Sequence, residues 1–227
     1  GKTEAILPSG EQPQIEKDTY KIHQVLKCYV SEVKNGTKGT QIVLSRTHPG
    51  LVRCLFQREV PEIEQGVVEI KNVAREAGSR TKIAVYSSDE NVDPQGACIG
   101  PKGLRVQNIS DELGGEKIDI VKYSDDPIAF INESLSPAKV ITTVIDEADK
   151  SAQVVVPSTQ LSLAIGKAGQ NVRLAAKLTG WRIDIVTSID DLKPVNHSED
   201  DILLDDDEEL PAEEMIEDTE EESGSEE

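Results

Sequence analysis

Ile99-Gly100-Pro101-Lys102-Gly103 returns 66 positions later as Ile165-Gly166-Lys167-Ala168-Gly169. Each copy is entered from an apolar run and followed by a helix-like stretch and a strand. One Gly-x-x-Gly is a weak signal, more often an ordinary interhelical turn. Two in matched settings, each carrying a lysine, point to adjacent grips on a nucleic-acid backbone rather than to one catalytic pocket.

Working outward, a helix is expected over 104–113, with Val106, Ile109 and Leu113 at 3,4 spacing, and then the strand Lys117-Ile118-Asp119-Ile120-Val121. The second copy is followed by a helix from Val172 to Leu178 and the strand Arg182-Ile183-Asp184-Ile185-Val186. These closing strands lie 65 positions apart, so the offset is nearly constant and an internal duplication explains it. Upstream of the first turn, strands are expected over 67–73 and 81–86, preceded by a helix that carries Leu51, Val52, Leu55 and Phe56, takes Ser45 or Thr47 as its cap and ends near Pro61. The second unit repeats the order, with a helix through Ile128–Leu135 and strands at 140–145 and 153–156. Only Tyr123-Ser124-Asp125-Asp126-Pro127 joins the units, too short for a free tether, so they are expected to pack as one rigid body.

Residues 1–46 read as all-β, with strands at 3–8, 24–33 and 40–45 and a hairpin signal in Asn35-Gly36 and Lys38-Gly39. Three strands are too few to close a small barrel, so this segment is read as the distal part of one. The chain begins Gly1-Lys2-Thr3 without a methionine and is taken for a fragment or a processed product.

The formal charge of −19 over 227 residues is unevenly placed. Residues 193–227 hold 17 of the 43 Asp and Glu and one of the 24 Lys and Arg, which leaves 26 acids against 23 bases in the rest. Global acidity argues against binding a polyanion, but the folded part is nearly neutral and both turns bear lysine, so local placement decides. The acidic end lacks the periodicity that would repay ordering and is expected to be disordered. At 37% apolar and 3% aromatic residues, the composition suits small repeated units better than one large core.

Other chemistries fit poorly. Two residues separate the glycines and no Ser or Thr follows either lysine, so neither turn is a Gly-x-x-x-x-Gly-Lys-Ser/Thr phosphate loop. Cys28, Cys54 and Cys98 form no Cys-x-x-Cys pair, and His23, His48 and His197 make no ligand pattern. Asp89–Pro94 lacks calcium-loop spacing, and Pro94 reads better as a helix start. No catalytic residue, metal or cofactor is expected. A reducing cytosol is the default compartment, no apolar run is long enough to span a bilayer, and a monomer is the expected state.

The turns can hold RNA because glycines without Cβ admit a phosphodiester backbone, while N–H groups at the start of the next helix offer donors to phosphate oxygens. The grips are Gly100, Pro101, Lys102 and Gly103, and Gly166, Lys167, Ala168 and Gly169. Arg105 and Arg173, on the helices that follow, are in reach of the backbone or a base edge. Base recognition needs an apolar groove beside each turn, for which Ile99 and Ile118, and Ile165 and Ile183, are the candidates. Trp181 reads as a packing residue at a strand start, with a base-stacking platform as the alternative.

The chain resembles bacterial transcription elongation factors of the NusA family. The likeness lies in Ile42–Leu51, Val60-Pro61-Glu62-Ile63, Asp89–Pro94, Gly100–Ile109, Ala138-Lys139-Val140 and Leu161–Trp181, and covers roughly residues 1–188. It implies an α+β protein: a partial S1 (OB-fold) β-barrel over 1–46, type II KH domains over 47–124 and 125–188, each a mixed three-stranded sheet with helices, and a disordered acidic tail over 189–227. It further implies a non-enzymatic factor that binds single-stranded nascent RNA and RNA polymerase and works with other termination and antitermination factors, and it places Arg46 and His48 at a domain junction as packing residues. The competing readings are a protein-interaction scaffold and an accessory RNA-binding domain of a nuclease or GTPase.

Overall fold

The structure is a computed structural model that describes residues 3–36 and 39–192; from residue 193 onward the acidic segment lies outside the described residues. Three three-stranded sheets follow one another along the chain.

In the first sheet, β1 (Ala5–Ile6) runs parallel to β3 (Gly39–Ser45), which pairs antiparallel with β2 (Tyr29–Gly36). The strand expected over 24–33 begins only at Tyr29, because the Lys27 carbonyl accepts from Arg46 Nη1 (2.7 Å) instead of joining a ladder. Pro8, without an N–H, stands just beyond the two residues of β1. The helix α1 (Pro49–Glu59) is not capped by Ser45 or Thr47. Ser45 Oγ accepts from the Thr47 and His48 N–H groups, and the cap is His48, whose Nδ1 accepts from Gly50 N–H at 2.9 Å. Pro49 at the first helical position fixes that start. The short α2 (Pro61–Glu64) follows.

The first unit's sheet consists of β4 (Val68–Glu76), β5 (Arg80–Ser87) and β6 (Lys117–Lys122). The pair β4·β5 is an antiparallel hairpin and β5·β6 is parallel. A parallel neighbour cannot be reached by a tight turn, so the chain crosses over through α3 (Pro94–Ile99) and α4 (Leu104–Glu112). That crossover carries the first glycine turn. Asp93 starts it by accepting from the N–H groups of Gln95 and Gly96, with Pro94 in the first turn. Phe56, Val60, Ile83, Val85, Cys98, Ile109 and Leu113 form the core between helices and sheet.

The second unit repeats this order: α5 (Pro127–Ser134), β7 (Thr142–Asp146), β8 (Ser151–Val155), α6 (Leu161–Ile165), α7 (Gln170–Thr179) and β9 (Arg182–Val186). Again the first pair of strands is antiparallel and the second parallel. Asp126 caps α5 as Asp93 caps α3. Ile131, Leu135, Val154, Val156, Ala164 and Ala175 form its core, with Trp181 packed against it. Beyond β9, Ser188 caps a short 3-10 turn at Ile189–Asp191, so order extends past the boundary at which disorder is expected.

A third core is shared: Ala74, Ala84 and Val121 of the first unit meet Phe130, Leu174 and Leu178 of the second. Asn72 Nδ2 donates to the Leu178 carbonyl (2.8 Å), and the buried Lys82 Nζ reaches the Ser136 carbonyl (3.0 Å). Both units therefore belong to one compact body, as the short linker requires.

Candidate nucleic-acid interface

The two glycine turns have the same backbone. Gly100 leaves α3 at φ 72°, ψ 174°, Lys102 sits at φ 54°, ψ 24°, and Gly103 at φ 76°, ψ 12°. Gly166 has φ 78°, ψ 174°, Ala168 φ 51°, ψ 32°, and Gly169 φ 73°, ψ 12°. Three left-handed φ values in four residues fold the chain back sharply, and each turn closes with the second glycine's N–H donating to the first glycine's carbonyl (3.1 and 3.2 Å). A Cβ on Gly100 would lie 2.5 Å from Arg105 Cγ, and one on Gly166 would lie 2.8 Å from the Asn171 backbone nitrogen. The first glycine of each turn is therefore needed for close packing beneath the turn as well as for its φ.

Lys102 and Lys167 project from these turns, both exposed, and neither ammonium has a hydrogen-bond or ion-pair partner among the described residues. The arginines are placed differently. Arg105 Nη1 donates to Glu62 Oε2 (2.9 Å) and to the Ala97 carbonyl (2.6 Å), so it ties α4 to α2 and α3. Arg173 Nη1 donates to the Ala168 carbonyl (3.1 Å) inside the second turn, and its Nε donates to Glu76 Oε1 (2.6 Å). Both brace the turns from behind.

Of the expected groove residues, Ile99 is exposed beside the first turn and Ile165 is half-buried beside the second. Ile118 and Ile183 pack partly buried against the two cores. The exposed apolar surface at the turns includes two residues the sequence reading omits, Leu104 and Leu163, 59% and 46% exposed. Leu104 directly follows Gly103 and Leu163 lies three residues before Gly166, so proximity to the turn was the available signal.

A further element lies at the second turn. The tip of the β4–β5 hairpin belongs to the first unit, yet Glu76 Oε2 and Ser79 Oγ accept from Gln170 Nε2 (2.6 and 2.7 Å), and Gln170 opens α7. The Arg173 hydrogen bond, helped by Gln170, holds the Glu76 carboxyl below its ordinary range. Nearby, burial works to raise the Asp119 carboxyl but hydrogen bonds and charge from Arg80 and Lys82 outweigh it, so it too is held low. Cys98, beneath the first turn, is pushed up to about 12 by burial and is a packing group rather than a reactive thiol. Among the described residues no group of His, Cys, Asp or Glu is placed to hold a metal ion.

Two mixed three-stranded sheets, each crossed by helices that carry a Gly-x-x-Gly turn, define a tandem KH protein, an RNA-binding class. Residues 46–123 match the NusA-like first KH domain and residues 127–193 the NusA-like second KH domain. The chain is 57% identical over 190 residues to the transcription termination/antitermination protein NusA of Bacillus subtilis (strain 168), covering 84% of this chain and 51% of that protein. It is 57% identical over 185 residues to the NusA of Halalkalibacterium halodurans (82% and 48%), and 56% identical over 184 residues to that of Mycobacterium tuberculosis H37Rv (81% and 52%). It thus spans about half the length of these curated relatives. The chain belongs to the NusA family, of which it carries the tandem KH segment.

Proposed function

We propose that this chain grips single-stranded nascent RNA through residues 100–103 and 166–169, and that it acts within a transcription factor that modulates RNA polymerase pausing, termination and antitermination. The observation that carries the reading is the repeated turn: two left-handed Gly-x-x-Gly backbones, each presenting a lysine that is unpaired among the described residues, beside exposed apolar side chains. The turn's N–H groups and Lys102 or Lys167 would neutralise phosphates, while Ile99 with Leu104 and Ile165 with Leu163 would contact bases. The work is binding rather than catalysis: RNA held across two KH domains is not free to fold into a pause or termination hairpin. That the relatives are transcription termination/antitermination proteins supports the transcriptional setting. With that setting come RNA polymerase and other termination factors as partners, a cytoplasmic location, KH domains over 47–124 and 125–188, and an S1 origin for the sheet in 1–46.

The test replaces the central residues of each turn, Pro101→Asp with Lys102→Asp, and Lys167→Asp with Ala168→Asp, in the full chain. Asp tolerates the left-handed conformation at Lys102 and Ala168, so the fold should survive and circular dichroism should show it. Binding of single-stranded RNA, read at about 50 and 200 mM salt, is expected to weaken in each variant and to lose part of its salt dependence. Unchanged binding in folded variants would reject the glycine-turn grip and leave a protein-interaction role for these domains.

A further inference from the structure

Each glycine turn is braced by an arginine paired with a glutamate, but the two glutamates come from different places. Arg105 pairs with Glu62 of α2, a carboxylate of its own domain. Arg173 lies in the second domain, and its carboxylate partner among the described residues is Glu76, at the end of β4 in the first. The second turn is therefore braced from its neighbour.

Glu76 is itself held in place. Below it, Arg75 and Glu116 form a buried ion pair (2.9 Å), and Glu116 also accepts from the Gly78 N–H (2.8 Å), which ties down the hairpin tip. The Ser79 N–H closes the tip by donating to the Glu76 carbonyl (3.0 Å). The two carboxylate oxygens then serve different partners, Oε1 accepting from Arg173 Nε and Oε2 from Gln170 Nε2. A guanidinium is a planar, rigid fork, so a bond that fixes Nε also fixes the direction of Nη1. Nη1 donates to the carbonyl of Ala168, the residue held at φ 51°. A non-glycine residue keeps such a conformation only where its surroundings over-determine it, and this chain of bonds supplies part of that constraint.

We infer that Glu76 is a positioning residue for the second turn: acting through Arg173, it holds Ala168 and the backbone around it in the shape that receives a phosphodiester. The inference rests on the proposed grip by the turns and deepens it, because it makes the competence of the second turn depend on a side chain of the first domain. Glu76 touches no RNA in this role. Its charge repels a polyanion, so on electrostatic grounds alone its removal would tighten binding. Weaker binding on its removal is the mark of positioning.

The test places Glu76→Ala in the full chain in two backgrounds and reads single-stranded RNA binding at about 50 mM salt. Glu76 lies outside the hydrophobic cores, so the variants should keep the wild-type circular dichroism. With the first turn replaced by Pro101→Asp and Lys102→Asp, the second turn carries the binding, and Glu76→Ala is expected to weaken it about two- to five-fold, the effect of losing one partly exposed ion pair. With the second turn replaced by Lys167→Asp and Ala168→Asp, the same change should cause no weakening. Added to Arg173→Ala, which already lacks the bond to Ala168, it should cause no further loss. Equal weakening in both backgrounds would make Glu76 a general support of the fold, and unchanged or tighter binding in the first background would show that Arg173 needs no positioning. A further loss in Arg173→Ala would show that Glu76 does not act through the arginine. Each of these results overturns the proposal while the grip stands. If the turn replacements themselves leave binding at the wild-type level, the grip fails and the positioning role fails with it.

Discussion

Lys102 and Ala168 occupy the same slot of the two turns, at φ 54° and 51°, where an L side chain is strained by roughly 1–2 kcal/mol. Glycine relieves that strain but loses more freedom on folding, so Ala168→Gly is expected to raise stability in urea titrations by no more than about 1 kcal/mol. Lys102→Gly should do the same and, unlike Ala168→Gly, weaken RNA binding. If both variants bound RNA equally well, the lysine would be excluded from the grip. The glycine spacing made both turns readable in the sequence, because two glycines at a constant offset mark a backbone requirement. The left-handed residue between them was not readable. Lysine and alanine have no preference for that conformation, and only closure of the turn imposes it.

At the scale of elements, a buried ion-pair network joins the N-terminal sheet to the first KH domain. Arg46 Nη2 donates to Glu16 Oε1 and to the Glu112 carbonyl (2.7 and 2.8 Å), and Arg46 and Glu16 are both almost fully buried. Burial works to raise the Glu16 carboxyl, but the hydrogen bonds from Arg46 and Tyr20 and the arginine charge outweigh it and hold it below its ordinary 4.5. Burial and Glu16 push Tyr20 up to about 12. A carboxyl lowered in the folded state contributes stability above its unfolded value, and that contribution is lost as pH falls through the folded value. Denaturation midpoints should therefore decline between about pH 5 and 3, and Glu16→Gln should lower the pH 7 midpoint and flatten that decline. An undiminished acid limb in Glu16→Gln would show that other carboxylates carry it, with Glu76 and Asp119 the next to test. The family resemblance implied a junction at Arg46 and His48, but not their partners, since Glu16 lies 30 positions away in irregular chain. His48 as a helix cap was not legible in the sequence, because Ser45 and Thr47 beside it are the usual capping residue types.

At the scale of the molecule, the offset of the repeat and the short linker made two packed units legible, whereas the residues that pack them were not. Lys82 reads as a surface lysine on a strand, yet it is fully buried, held by Asp119 and the Ser136 carbonyl, and its burial lowers its proton affinity. Ala74, Ala84 and Val121 likewise look like ordinary strand residues until Phe130, Leu174 and Leu178 cover them. Gln170 meets Glu76 and Ser79 only through this docking, so no motif scan could join them. The shared core makes a prediction about cooperativity. Trp181, the only tryptophan, reports on the second KH domain, whereas far-ultraviolet circular dichroism reports on both. The two signals should give coincident urea midpoints in the wild type, because exposing the shared core leaves each domain with an uncovered apolar face. Leu178→Ala, which leaves a cavity in that core, should lower stability by about 2–5 kcal/mol and move both signals together. A tryptophan transition shifted without the dichroism would mean that the domains unfold independently. The spacing between the two turns would then be free to vary, and the shared core would not act as a rigid joint.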